Sequence, residues 1–179
     1  MQRFRLTRPA DIALALIVTF LLPAIAYAQD VTEPALKAAF VYNLAKFTEW
    51  PPEAVALRPF SMCVLSDDAV GEALERIVKD RQLGGNAITV IKVTSLAVPR
   101  SCHILYISGF STEQTMKVIA SLRGAAVLTV SNLSGFIESG GIAQIFFENG
   151  RIRFRIGRES ALRASLQVSA KILTLAVQK

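Results

Sequence analysis

Phe60-Ser61-Met62-Cys63-Val64-Leu65-Ser66-Asp67-Asp68-Ala69-Val70-Gly71-Glu72-Ala73-Leu74-Glu75-Arg76-Ile77-Val78-Lys79 is the stretch on which the fold turns. Its first six residues form an apolar run of strand length, without the strict alternation of a half-wet strand. Ser66-Asp67-Asp68 then supplies capping side chains, and residues 69–79 read as a helix. An apolar strand that feeds a helix within three residues is the unit of a parallel sheet covered on both faces.

The unit recurs on either side of it. Gly84-Gly85-Asn86 turns the chain into a β-branched strand at 87–93, and a third strand runs from Cys102 to near Ile107. Ser111 or Thr112 caps a helix reaching about Leu122, Arg123-Gly124 ends it, and 125–130 is a fourth strand. Upstream, Thr32 and Pro34 start a helix over 33–50 with Leu36, Phe40, Leu44 and Phe47 on one stripe. Trp50-Pro51-Pro52 stops it, because a residue before proline is pushed out of the helical region. Downstream the pattern changes: 142–148, Asn149-Gly150 and 151–156 read as a β-hairpin. Its second strand sets Arg151, Arg153 and Arg155 against Ile152, Phe154 and Ile156, one charged face and one apolar. Helical segments at 158–164 and 168–177 close the chain. Without repeats, low-complexity tracts or a dividing linker, the expectation is one α/β domain. It has a mostly parallel sheet flanked by helices, a late antiparallel hairpin and C-terminal helices.

The amino-terminal segment decides the compartment. Arg3, Arg5 and Arg8 precede an uncharged run from Ile12 to Ile25, followed by Ala26-Tyr27-Ala28. A basic head, a short apolar stretch and a small-x-small site are the layout of a secretory signal peptide over residues 1–28. The run is about 14 residues, against the roughly 20 that a bilayer-spanning helix needs; a retained anchor is the competing reading. The expected mature domain, 29–179, carries a net charge of about +4 after loss of three arginines and Asp11. That charge is spread along the chain without a basic block, so nucleic-acid binding is not expected.

Cys63 and Cys102 are the only cysteines, and an even count in an exported chain favours a pair; two buried free thiols are the alternative. Each stands near the start of an apolar strand-like run, and if those strands are parallel neighbours the two stand level, within the roughly 4.4–6.8 Å Cα separation a disulfide requires. Their spacing, with no CxxC, argues against a redox enzyme or a zinc site, and no metal or other cofactor is expected. Asp67, Asp68 and the single histidine, His103, are the best enzymatic suspects. With the cysteines level, Asp67 and His103 lie three strand positions apart, about 10 Å, too far for a dyad or a shared metal. Helix capping explains the aspartates and strand packing the histidine. The glycine pairs match no phosphate-binding loop, and no serine stands in a GxSxG setting, so an enzyme is not expected. Binding is the stronger lead. Ser131-Asn132-Leu133-Ser134-Gly135-Phe136 places an aromatic in a polar loop next to the hairpin that carries Glu148 and the arginines. Phe136 either anchors a partner within a charged rim or folds inward above a solvated edge strand; the residues alone leave both open.

The ordered series of segments resembles the YfiR-like family of periplasmic proteins. The likeness rests on Leu36-Lys37-Ala38-Ala39-Phe40-Val41-Tyr42-Asn43-Leu44 with Phe47 and Trp50-Pro51, Cys63-Val64-Leu65-Ser66-Asp67-Asp68 and Cys102-His103-Ile104-Leu105-Tyr106-Ile107-Ser108. It continues through Val127-Leu128-Thr129-Val130-Ser131, Gly135-Phe136, Gly140-Gly141-Ile142, Glu148-Asn149-Gly150-Arg151-Ile152-Arg153-Phe154 and Ser169-Ala170-Lys171-Ile172-Leu173. The resemblance implies a non-enzymatic regulator that binds the periplasmic sensing domain of an inner-membrane diguanylate cyclase and represses it. An OmpA-like outer-membrane lipoprotein sequesters such a repressor and releases cyclic-di-GMP synthesis and biofilm formation; the repressor is a homodimer. The family's partner surface carries onto Phe136, Glu148 and Phe154, with Arg153 from the same hairpin, and its disulfide onto Cys63 and Cys102. A second disulfide of that system has no counterpart here. The alternative is a periplasmic small-ligand carrier that uses the carboxyl edge of the sheet near Asp67, Asp68 and Ser108.

Overall fold

The computed structural model describes residues 32–56 and 59–177; the expected signal peptide at 1–28 lies outside them. Helix α1 (Glu33–Lys46) starts where Thr32 Oγ1 accepts the Ala35 N–H. It ends four residues before the expected stop, because Thr48–Glu49 forms a short strand, β1. A helical turn, α2 (Pro52–Val55), leads to β2 (Phe60–Leu65) and α3 (Asp68–Val78). Then come β3 (Gln82–Leu83), β4 (Asn86–Val93), β5 (Ile104–Ile107), α4 (Thr112–Ser121) and β6 (Leu128–Ser131). Ser111, not Thr112, caps α4, through a reciprocal box with Gln114. The hairpin β7 (Ala143–Glu148) and β8 (Arg151–Ile156), helix α5 (Arg158–Arg163), β9 (Gln167–Val168) and α6 (Ala170–Leu175) complete the order.

Seven strands make one mixed sheet in the order β3-β4-β2-β5-β6-β7-β8, with β4, β2, β5, β6 and β7 parallel and the two edge pairs antiparallel. Period-two alternation divides the core. Met62, Val64, Ile104, Tyr106, Leu128 and Val130 meet buried residues of α1 and α3, together with Ala161, Leu166 and Ile172 from the end of the chain. Cys63, Leu65, Leu105 and Ile107 pack with Val118 of α4, with Leu122 at its C-cap and with Phe136. Both faces are covered, as the apolar strands require. The hairpin turns at Asn149 and Gly150 with φ of 51° and 71°, the two positive values of a type I′ turn.

Two expectations about strand starts need correction. β5 begins at Ile104 rather than Cys102, because the Cys102 N–H closes a turn on the Pro99 carbonyl at 3.2 Å. The register sets Met62 opposite Ile104 and Cys63 opposite Leu105, so the cysteines are not level along the sheet. They are nevertheless bonded to one another, with Cα atoms 5.8 Å apart, the turn carrying Cys102 back over the face where Cys63 points. β6 begins at Leu128 rather than 125, since the Val127 N–H bonds the Ala125 carbonyl at 2.9 Å and holds that segment in a turn. The last helix covers Ala170–Leu175 instead of 168–177; its predicted first residue belongs to β9, which pairs with β1.

Candidate interaction surface

After β6 the chain winds through consecutive turns before entering β7. The Phe136 N–H bonds the Leu133 carbonyl at 3.3 Å, and the Gly141 N–H bonds the Phe136 carbonyl at 2.9 Å. Ser139 donates both its N–H and its hydroxyl to the Gly135 carbonyl at 3.0 Å. These bonds aim Phe136 inward, and it is 0% exposed within the core face that holds the disulfide. Gly141 makes room: a Cβ there would overlap the Phe136 ring. Of the two open readings, the inward one is the one the chain adopts. Phe136 is not an exposed anchor.

The hairpin divides its charges by register. Gln144 stands opposite Arg155, Phe146 opposite Arg153 and Glu148 opposite Arg151. Arg155 is consumed internally, donating to Glu138 Oε1 at 3.0 Å and to the buried Gln144 Oε1 at 2.7 Å. Arg153 Nε lies 3.4 Å from Glu148 Oε2, with both side chains about half exposed. Exposed pairs of this kind contribute roughly 0–1 kcal/mol to stability, so they are free to exchange partners. On the other face, Phe154 is half-buried with its ring 4.9 Å from Phe40, which fastens the hairpin to α1. Phe147, 41% exposed, sits opposite Ile152 near the tip. Sequence reasoning missed Phe147, although two adjacent phenylalanines in a strand must point to opposite faces. It also missed Glu138, which no periodicity in a turn segment could have marked.

The suspected catalytic residues are dispersed. Asp67 Oδ1 accepts the Val70 N–H at 3.2 Å and caps α3, where Asp68 occupies the first turn. His103 is buried, stacked on Phe60 at 4.6 Å; its Nδ1 accepts the Ser61 N–H at 2.8 Å, and Nε2 lies 2.8 Å from the Ala54 carbonyl. The accepting Nδ1 carries no proton, so Nε2 donates and the ring is neutral. Ser61 lies level with His103, so the end of the strand at Leu65 is already four strand positions away, about 13 Å, and Asp67 lies beyond it, past the expected separation. Among the described residues no cluster of three histidine, cysteine, aspartate or glutamate side chains could hold a metal.

A polar pair that sequence reasoning overlooked lies under α1. Lys37 is buried and Nζ approaches Glu33 Oε1 at 2.6 Å; Tyr106 is 0% exposed. Burial works to lower the Lys37 pKa, but the Glu33 hydrogen bond and the charges of Tyr106, Glu33 and Asp67 outweigh it and raise the value. Burial raises Tyr106 against the opposing influence of Lys37. Its hydroxyl has no partner in strict hydrogen-bonding geometry, but the side chains of Ser108 and Lys37 approach closely enough to oppose that rise as well. A helical lysine reads as a solvated residue in one dimension; that is why it was passed over.

Comparison with curated proteins gives no match. Among solved structures, a conserved domain protein from Vibrio cholerae O1 biovar El Tor strain N16961 has a similar fold, with a TM-score of 0.52 at 12% identity. The match covers 78% of this chain and 58% of that one, so the chain spans less than two thirds of its neighbour's length. The sequence profile of the YfiR/HmsC-like family matches residues 34–177, which takes in every described residue except Thr32 and Glu33. The chain belongs to the YfiR/HmsC-like family.

Proposed function

We propose that this protein is a non-enzymatic regulator of the periplasm, exported by a cleaved leader at residues 1–28, that holds a membrane sensor inactive through its β7–β8 hairpin. The partner is the periplasmic sensing domain of an inner-membrane diguanylate cyclase. Binding lowers cyclic-di-GMP synthesis and biofilm formation, and an OmpA-like outer-membrane lipoprotein competes for the repressor, which works as a homodimer. Family membership and the buried Cys63–Cys102 disulfide support a setting outside the reducing cytoplasm.

One observation carries the surface assignment. The hairpin tip offers Phe147, 41% exposed, on one face and Glu148, Arg151 and Arg153, all exposed, on the other. An exposed ring on one face of the tip and exchangeable charges on the other suit a partner that takes hold of the tip from both sides, the ring supplying desolvated area and the charges register and on-rate. Phe136 and Phe154 serve this surface from below, by fixing the loop and the hairpin in place. Repression follows only from a difference in affinity between the sensor's two states.

The test is complementation with an Arg151→Glu/Arg153→Glu double variant in cells lacking the wild-type chain. Wild type restores low cyclic-di-GMP; the variant leaves it high while unfolding at the wild-type temperature. Normal repression by the variant would remove the hairpin from the proposal. A second reading, a small-ligand carrier, is favoured by a hollow of about 210 Å³ at the carboxyl edge that includes Ser108, although neither Asp67 nor Asp68 lines it.

A further inference from the structure

At the amino edge of the sheet, β6 and β7 part. Only Val130–Ala143 and Ser131–Gln144 are paired between them; below that point the Thr129 hydroxyl replaces the ladder by accepting the Ile142 N–H at 3.1 Å. The gap is a cleft of about 370 Å³, a size typical of small-molecule sites. Its apolar lining includes Leu122, Val127 and Ile142, all buried, and its polar lining includes Arg123 and Arg163 from two separate elements.

The charges around it favour an anion. The Arg123 guanidinium has no partner among the described residues. Arg163 is steadied by Ser160 Oγ at 2.9 Å and faces Glu159 at 3.7 Å, a solvent-exposed contact that competes weakly. Arg100 donates to the carbonyls of Ser121 and Arg123 at 2.9 Å each. The Ser121 carbonyl ends α4 and the Arg123 carbonyl lies in the turn just beyond it, so both would otherwise present negative dipole ends to a bound anion. Arg100 therefore both stiffens the rim and removes a repulsion.

We propose that this cleft binds a small amphipathic monocarboxylate, its hydrocarbon part against Leu122, Val127 and Ile142 and its carboxylate between Arg123 and Arg163. The site lies at the amino edge of the sheet, away from the hairpin tip. Its occupancy is read on the isolated protein, so the outcome is independent of whether a cyclase is the partner.

Calorimetric titration of the full domain with octanoate tests the assignment, with 1-octanol and inorganic phosphate as comparison probes. Saturable one-to-one binding of octanoate is expected, with octanol and phosphate each at least tenfold weaker. The Arg123→Gln/Arg163→Gln variant, altered only at exposed side chains, loses tenfold or more in octanoate affinity, and Ala164→Phe, which fills the cleft, abolishes binding. Octanoate without saturable heat, octanol binding equally well, or an unchanged affinity in the double-glutamine variant each overturns the proposal. Should Ala164→Phe fail to fold, the arginine pair alone decides.

Discussion

Replacing Phe136 with alanine tests whether this ring is core or contact surface, and Gly141 makes the test quantitative. Deleting a fully buried phenylalanine costs about 3–5 kcal/mol, and a wall of turns tied by backbone hydrogen bonds cannot collapse into the void, so the upper half of that range applies. Against a total domain stability of about 5–15 kcal/mol the loss is severe. Gly141→Ala in the native background drives a methyl into the ring and costs about 1–3 kcal/mol. In the Phe136→Ala background that obstacle is gone. Gly141 does not have a positive φ, so the new side chain is tolerated and stabilises by about 0.4–1 kcal/mol through the unfolded chain. The double-mutant cycle therefore shows a coupling of roughly 2 kcal/mol or more. Urea unfolding of the four proteins, followed by circular dichroism, measures it. A Phe136→Ala cost below about 1 kcal/mol, or strictly additive costs, would refute the packing argument. Lost repression in Phe136→Ala would then reflect a damaged fold, so interface tests belong at Arg151 and Arg153.

Removing the disulfide as Cys63→Ala/Cys102→Ala frees a loop with a sequence separation of 39 and is expected to cost about 4 kcal/mol, read from the urea midpoint; a cost under about 1 kcal/mol would count against the chain-entropy account. Lys37 and Tyr106 both have folded pKa values above their ordinary 10.5 and 10.0, so their contributions are complete below those values and are lost as pH rises through the folded ones. The unfolding temperature should accordingly hold from neutrality and fall above about pH 10, and Tyr106→Phe should shrink that fall. At neutral pH the same variant discards a buried hydroxyl without a partner and should match or exceed wild-type stability, by up to about 1 kcal/mol; a clear loss would show that the hydroxyl is bonded after all. Trp50→Phe removes the indole donor shared by the carbonyls of Ala126 and His103, the latter keeping the Leu128 N–H, and should cost about 1–2 kcal/mol by thermal unfolding; no loss would make that bridge incidental.

The elements were legible where composition and period agree. Apolar β2 leading to an aspartate-capped helix, the β-branched β4 and the Asn149-Gly150 turn all formed as their residues demand. Register was not legible, because the turn at Pro99 that swings Cys102 toward Cys63 replaces strand geometry with a local hydrogen bond. The two-residue pairing of β1 with β9 is too short to leave a pattern. At the candidate surface, the exposure of Arg151 and Arg153 was legible from alternation, whereas Glu148 entered through its place on the hairpin and the family resemblance. The fate of Phe136 depended on a side chain that Gly141 lacks, and the absence of a Cβ five residues away carries no one-dimensional signal. Arg155 looked equivalent to Arg153 in the strand pattern, yet Glu138 and Gln144 withdraw it from the surface.

The short ribbon joining Thr48 to Val168, with the Val177 N–H bonded to the Phe154 carbonyl, sets an order of assembly. A polypeptide that emerges amino-terminus first exposes the greasy side of α1 long before Leu166 and Ile172 arrive to close over that layer. Until they do, sticky surface stays open to neighbouring chains. Such late closure predicts a nascent molecule open to association until Leu166 and Ile172 are in place, and a loss of the final helix more damaging than its few residues suggest.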